Sequence, residues 1–151
     1  MKSLLFIPFL FVSILGFSQI KTPSASTSSK INQMVGLTEI IVEYSRPSKK
    51  GRDIFGNLVP FGKLWRTGAN SSTKISFSSD VEINGEKIKE GKYSVFSIPN
   101  EDEWDIILYS DYDLWSVPKD WDESKVIFKS SYKVSKLNSG NNIETFTISL
   151  N

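Results

Sequence analysis

Arg46, Arg52 and Arg66 are the only three arginines in a chain of 151 residues; the other basic side chains are all lysine. All three fall within residues 44–70, YSRPSKKGRDIFGNLVPFGKLWRTGAN. A guanidinium presents a planar fork that grips carboxylate or phosphate through two parallel hydrogen bonds, a geometry an ammonium does not copy. Confining the fork to one stretch points to an anion-accepting loop for a phosphate, a uronate or a peptide carboxylate. Tyr44 and Asn70, at its two ends, complete the candidate ligand-binding set Tyr44, Arg46, Arg52, Arg66 and Asn70. The competing reading is internal: Arg46 or Arg66 pairs with Glu39, Glu43 or Asp53 and pins the loop to the fold, because buried charge needs a partner.

Other chemistries find less support. The chain contains no cysteine and no histidine, which removes thiol nucleophiles, thiolate and imidazole metal sites, and the serine–histidine–acid triad. No catalytic residue, metal site or cofactor is assigned. Calcium would remain admissible, but Asp111-x-Asp113 lacks the further oxygen ligands, the glycine and the closing glutamate of a calcium loop. The run Gly51-Arg52-Asp53-Ile54-Phe55-Gly56 lacks the lysine and hydroxyl ending of a phosphate-binding loop. Tyr112, Trp115 and Trp121 would suit stacking on sugar rings, or else fold back to cover a sheet. A hydrolase built on two carboxylates would need acids facing each other across a cleft, whereas here they crowd into one local stretch.

Charge is unevenly placed. Residues 44–70 carry six cations against Asp53, a balance of +5, and residues 101–125 carry nine acids against Lys119 and Lys125, a balance of −7. The whole chain has a formal net charge of +1, so no bulk attraction to nucleic acid is expected.

The elements that must position these residues are short strands. Residues 44–70 also hold four of the nine glycines and two of the six prolines, too much punctuation for a regular element. Before this loop, residues 33–35 and 37–44 (LTEIIVEY) read as strands, with Ile40, Val42 and Tyr44 on one face and Glu39, Ile41 and Glu43 on the other. After it come 73–77, then 81–83 and 87–88 around Asn84-Gly85, a pair suited to a two-residue hairpin. Residues 93–98 and 104–109 follow, then 126–134, where Val126, Phe128, Tyr132 and Val134 recur at even spacing. Residues 143–150 (IETFTISL) close the chain. Trp65 reads as a core plug. No stretch repeats apolar residues at helical spacing over three turns. Eight or nine short strands with turn signals between them predict a single all-β sandwich of jelly-roll type.

The N-terminus differs in kind. Residues 1–18 have Lys2, an apolar run, and small residues Gly16 and Ser18 before a cut at Gln19, the pattern of a secretory signal peptide. Export to the periplasm or the exterior is the expectation, with no membrane span after cleavage. Residues 19–30 read as a flexible polar leader and 31–151 as one domain.

The 44–70 stretch, Thr73-x-Ile75-x-Phe77, the Val81-x-Ile83-Asn84-Gly85 hairpin, Gly91-x-Tyr93, Phe96-x-Ile98-Pro99, Trp104 and Glu144-Thr145-Phe146-Thr147-Ile148 together resemble domain-of-unknown-function family 2911, exported β proteins of Bacteroidetes-type bacteria. The resemblance runs from about residue 23 to residue 150. It implies export and a compact β fold, and it carries over no reaction and no catalytic residue. Similar chains continue into a further strand; with the end at Asn151, either that strand is dispensable here or a sheet edge is left open at 143–150, able to pair with another chain. The functional expectation is a non-catalytic exported binding or accessory domain for a small anionic or carbohydrate ligand. The alternatives are a structural envelope module whose arginines form internal ion pairs, and a carboxylate-based hydrolase.

Overall fold

The computed structural model describes residues 22–137 and 142–150. Residues 1–18, whose sequence has the signal-peptide pattern, and residues 138–141, part of the turn-type run NSGNN at 138–142, lie outside the described residues.

Eight strands form: β1 (Thr27–Val35), β2 (Thr38–Arg46), β3 (Thr73–Phe77), β4 (Val81–Ile83), β5 (Glu86–Ile88), β6 (Gly91–Pro99), β7 (Glu103–Tyr109) and β8 (Val126–Lys133). Six of them make one sheet in the order β1-β2-β3-β6-β7-β8, antiparallel throughout, while β4 and β5 pair as a separate hairpin. The fold is all-β and sandwich-like, with neighbours in the large sheet following chain order. At the tip of the β4–β5 hairpin Asn84 and Gly85 both adopt positive φ, 52° and 84°, as the two-residue turn requires.

Strand alternation divides the sheet into two faces. One face carries Val42, Ile75, Phe77, Tyr93, Leu108 and Phe128. Over it lies the hairpin, whose Ile88 is 1% exposed and whose Val81 and Ile83 pack against the same cluster. Further along that face, aromatic residues of loop 47–72 and of the C-terminal segment form the second layer. The other face carries Phe96, Ile107 and Tyr109, which residues 110–125 cover with Leu114, Val117 and Trp121.

Three local departures from the sequence reading have physical causes. β1 begins at Thr27, within the stretch read as a flexible leader, because the ladder to β2 satisfies its backbone from Thr27↔Arg46 onward whatever its side chains. A register shift between Leu108 and Tyr109 pairs Leu108 with Phe128 but Tyr109 with Val126. That bulge turns Val126 away from Phe128 and into the Phe96 cluster, against the even spacing of the sequence. Residues 143–150 form no strand ladder; Thr145 makes a single bridge, to Ser48.

Candidate functional site

Loop 47–72 is held at three levels. Its backbone closes local turns through Arg52 N–H to Lys49 O (3.1 Å) and Val59 N–H to Ile54 O (2.8 Å). Trp65 and Ser97 exchange both backbone bonds, at 2.8 and 2.9 Å, so the chain rejoins β6 beyond the end of β3. Between Trp65 and β3, residues 67–72 bulge outward and are fixed by buried hydroxyls. Thr67 meets Ser97 at 3.0 Å, Ser72 meets Ser94 at 3.0 Å, and Thr73 donates to Thr67 O at 2.5 Å. A buried hydroxyl without such a partner would cost about 1–3 kcal/mol, so these pairs specify the path of the bulge. Thr67 and Asn70 take positive φ, 53° and 60°. At Gly68 a Cβ would come 3.0 Å from the Ser45 carbonyl oxygen.

Aromatic rings provide the third level. Phe55 sits edge-on to Trp104 (4.6 Å) and to Trp65 (5.7 Å), and Trp65 meets Trp104 (6.1 Å) and Phe146 (5.2 Å). Phe146 in turn meets Tyr44 at 5.9 Å. The Trp65 indole N–H donates to Gly68 O at 3.1 Å. Trp65 therefore plugs the space between loop, sheet and C-terminal segment.

The candidate ligand residues are deployed separately. Arg46 donates from Nε to Phe146 O (3.2 Å) and from Nη2 to Thr147 Oγ1 (2.8 Å). The Tyr44 hydroxyl accepts from Ile148 N–H at 3.0 Å, so Tyr44 and Arg46 converge on residues 146–148. Arg52 closes its own turn, donating from Nε to Lys49 O (3.0 Å) and from Nη2 to Ser48 O (2.8 Å). Asn70 donates to Ser45 Oγ (3.1 Å) and Ser24 Oγ (3.3 Å). The Nε of Arg66 is buried and has no hydrogen-bond partner among the described residues.

None of the three arginines pairs with a carboxylate among the described residues; the six ion pairs there all use lysine. Alternation explains part of this. Arg46 is an even-numbered residue of β2, on the face of Val42 and Tyr44, whereas Glu39 and Glu43 point to the opposite face. Those acids have other partners: Glu39 accepts from Asn32 Nδ2 at 2.9 Å, and Glu43 binds Lys30 at 3.2 Å.

That opposite face holds a second cluster, which the arginine-centred reading of the sequence missed. Tyr112 reaches back from the acidic loop and donates to Glu43 Oε2 at 3.4 Å. The ammonium groups of Lys74 and Lys92 lie 5.4 and 5.5 Å from the centre of its ring, in cation–π range. Lys74 also pairs with Asp113. Burial, followed by the nearby Glu43 charge, pushes the Tyr112 phenol above its ordinary pKa, so the hydroxyl stays a donor. Two adjoining concavities share Lys30 and Glu43. One, of about 390 Å³, is walled by Tyr44, Ser45, Ser71 and Lys74; the other, of about 330 Å³, by Ser76, Lys92 and Tyr112. No arginine lines either one.

Two acids of the acidic loop have lysine partners, one in the loop itself and one in β3. Asp111 binds Lys125 at 2.8 Å and Asp113 binds Lys74. Asp122 accepts from Ser124 N–H and Oγ, and these bonds hold its carboxyl below the usual carboxylate range. Of the loop's aromatics, Trp121 stacks on Tyr109 at 4.4 Å, whereas Trp115 is 76% exposed. No group of three or more acids arranged to hold a metal ion occurs among the described residues, and none of their helices is long and apolar enough to cross a membrane.

No curated protein and no solved structure matches the chain. A family model does match, over residues 26–151, and it takes in every strand, the whole arginine loop and the C-terminal segment that Tyr44 and Arg46 hold. The chain belongs to the family described as protein of unknown function (DUF2911).

Proposed function

We propose that the chain is an exported, non-catalytic binding domain for a small anionic or polyhydroxylated ligand, with Arg46, Arg52 and Arg66 as its anion acceptors. One observation carries this reading: six lysines have carboxylate partners among the described residues, and no arginine does. Each guanidinium has five N–H donors. Arg46 and Arg52 each give two of theirs to neutral acceptors, and Arg66 Nε has no partner among the described residues, so no carboxylate among them meets the loop's positive charge. Asn70, at the end of the loop, bonds Ser45 in the wall of the 390 Å³ concavity, whose own cations are Lys30 and Lys74.

A non-catalytic role agrees with the side chains present. Histidine and cysteine are absent from the sequence. Asp80, Asp105 and Asp122 are each held below the usual carboxylate range by hydrogen bonds, the opposite of what a general acid needs. Export rests on residues 1–18.

The test is a thermal-shift panel of phosphate, glucuronate, a neutral sugar and a short acidic peptide, run on the chain lacking residues 1–18 and on its Arg66→Lys variant. A ligand at a hundred times its Kd stabilises by about 2.7 kcal/mol. A rise in Tm with an anion, weakened in Arg66→Lys, supports the reading; no rise with any compound overturns it.

A second reading is favoured by the two bonds from Arg46 to residues 146–147. There the arginines act only as structural clamps for neutral backbone, in an envelope module without a ligand. It predicts that Arg46→Lys loses stability while the anion panel stays flat.

A further inference from the structure

The sheet face that carries Glu43 is covered over only part of its width. Residues 110–125 lie on Phe96, Ile107 and Tyr109 of β6 and β7, and Tyr112 marks the margin of that cover. Beyond it, strand register sets two rows of side chains across the sheet, Lys30–Glu43–Lys74 and Asn32–Ile41–Ser76–Lys92. Ile41 is their one apolar member, so this part of the face needs no apolar layer over it. Lys30 and Glu43 keep 58% and 41% of their side chains exposed.

The step from covered to bare sheet makes a trough. Its two concavities, of about 390 and 330 Å³, meet at the Lys30–Glu43 pair, and each has the volume of a small-molecule site. The lining follows β2 from Glu39 to Ser45, about 20 Å at the rise of a strand. The margin is pinned by the Tyr112 hydroxyl on Glu43, by Lys74 on Asp113, and by Lys74 and Lys92 against the Tyr112 ring. Charge balances: Lys30, Lys74 and Lys92 stand against Glu39, Glu43 and Asp113, so nothing here selects an anion. The remaining polar lining is hydroxyl, with Ser28, Ser45 and Ser71 in the larger concavity and Ser76 and Ser78 in the smaller. A hydroxyl both donates and accepts, and the Tyr112 ring adds an apolar body with a polar tip.

We propose that this trough binds a neutral glycan chain, laid along β2 between Lys30 and Tyr112. An elongated ligand fits an elongated trough, and a ligand without charge fits a lining whose charges cancel. Sugar hydroxyls donate and accept as the serines do, and the C–H face of a sugar ring packs on an aromatic body. Lys92, which pairs with no carboxylate among the described residues, is a free donor at the Tyr112 side. The trough lies on the face opposite Arg46 and no arginine lines it, so the proposal does not rest on the arginines as anion acceptors.

The test titrates cellohexaose, N-acetylchitohexaose, mannohexaose, maltohexaose and, as the charged control, hexagalacturonate into the isotope-labelled chain lacking residues 1–18, followed by amide-correlation NMR. At least one neutral hexasaccharide should move the amides of Lys30, Glu43, Lys74 and Lys92 saturably while the arginine Nε–Hε signals stay still. Tyr112→Ala should weaken that binding about fivefold, the worth of one ring contact, whereas Tyr112→Phe keeps the ring and binds as the parent does. Ser76→Phe puts a ring into the smaller concavity and should abolish saturation; it leaves the loop margin alone, so the trough remains testable if Tyr112→Ala unfolds. No saturable shift of the trough amides with any neutral hexasaccharide overturns the proposal, as do shifts that Ser76→Phe leaves unchanged. A response to hexagalacturonate alone, at the arginine signals, also overturns it and leaves the arginine loop standing as an anion acceptor.

Discussion

Replacing Phe146 by alanine removes the one ring that joins the C-terminal segment to the arginine loop. Phe146 is partly buried and meets Tyr44 at 5.9 Å and Trp65 at 5.2 Å, both edge-on. Truncating a fully buried phenylalanine costs about 3–5 kcal/mol, and partial burial roughly halves the transfer part. Each aromatic pair adds about 0.5–1.5 kcal/mol beyond area, with some overlap between the two contributions. The expected loss is about 2–3 kcal/mol, against a stability on the order of 5–15 kcal/mol. For a domain of this size that lowers Tm by roughly 6–12 °C. Urea unfolding followed by tryptophan emission gives the magnitude, and Trp65 is one of the reporting rings. Hydrogen exchange gives the location: the amides of Lys49, Phe146 and Ile148 should lose protection while those of β6 and β7 keep theirs. A loss under about 0.5 kcal/mol, far below the range for such truncations, would refute the docking of residues 143–150. So would equal deprotection of the central strands.

Arg46→Lys keeps the charge, but one ammonium cannot serve Phe146 O and Thr147 Oγ1 as the fork does; the expected cost is about 1–2 kcal/mol, read from the urea midpoint. At Asp105, the hydrogen bond from Ser131 first, then that from Lys129, lowers the folded pKa. Its contribution is therefore present above the unfolded value near 3.9 and lost as pH falls through the folded pKa. Wild type should lose more stability below about pH 4 than Asp105→Asn does, as measured by urea midpoints across the acid range. Tyr112→Phe removes only the 3.4 Å bond to Glu43 and leaves the ring over Lys74 and Lys92, so the change should stay under about 1 kcal/mol. Tyr112→Ala should cost more, because both lysines lose their cover; thermal unfolding compares the two.

What could be read in the sequence was local. The Asn84-Gly85 turn, the alternation of β2 and the punctuation of residues 44–70 follow from single residues, and each appears where that chemistry puts it. What escaped was set by pairing between distant segments. The sequence offers the arginines the carboxylates of Glu39, Glu43 and Asp53, but two of the arginines instead bond backbone carbonyls, which every residue has and no letter of a sequence marks. The end of the chain has strand composition, yet lies beside residues 47–49 with one bridge and no ladder. The Lys30–Glu43–Tyr112 cluster joins two neighbouring strands and a loop nearly 70 residues away. Each member alone is an ordinary surface residue, and only the register brings them together.

The most direct test of the arginine loop as an anion acceptor uses the fact that the chain has only three arginines. An amide-correlation NMR spectrum then contains three Nε–Hε signals, which Arg→Lys substitutions assign one by one. Titrating glucuronate or phosphate at fixed pH and ionic strength should move the Arg66 signal saturably, with a smaller response at Arg46 or Arg52. Chloride at the same ionic strength serves as the control for screening. If none of the three signals moves beyond that control, the loop is a structural clamp and the binding proposal is wrong.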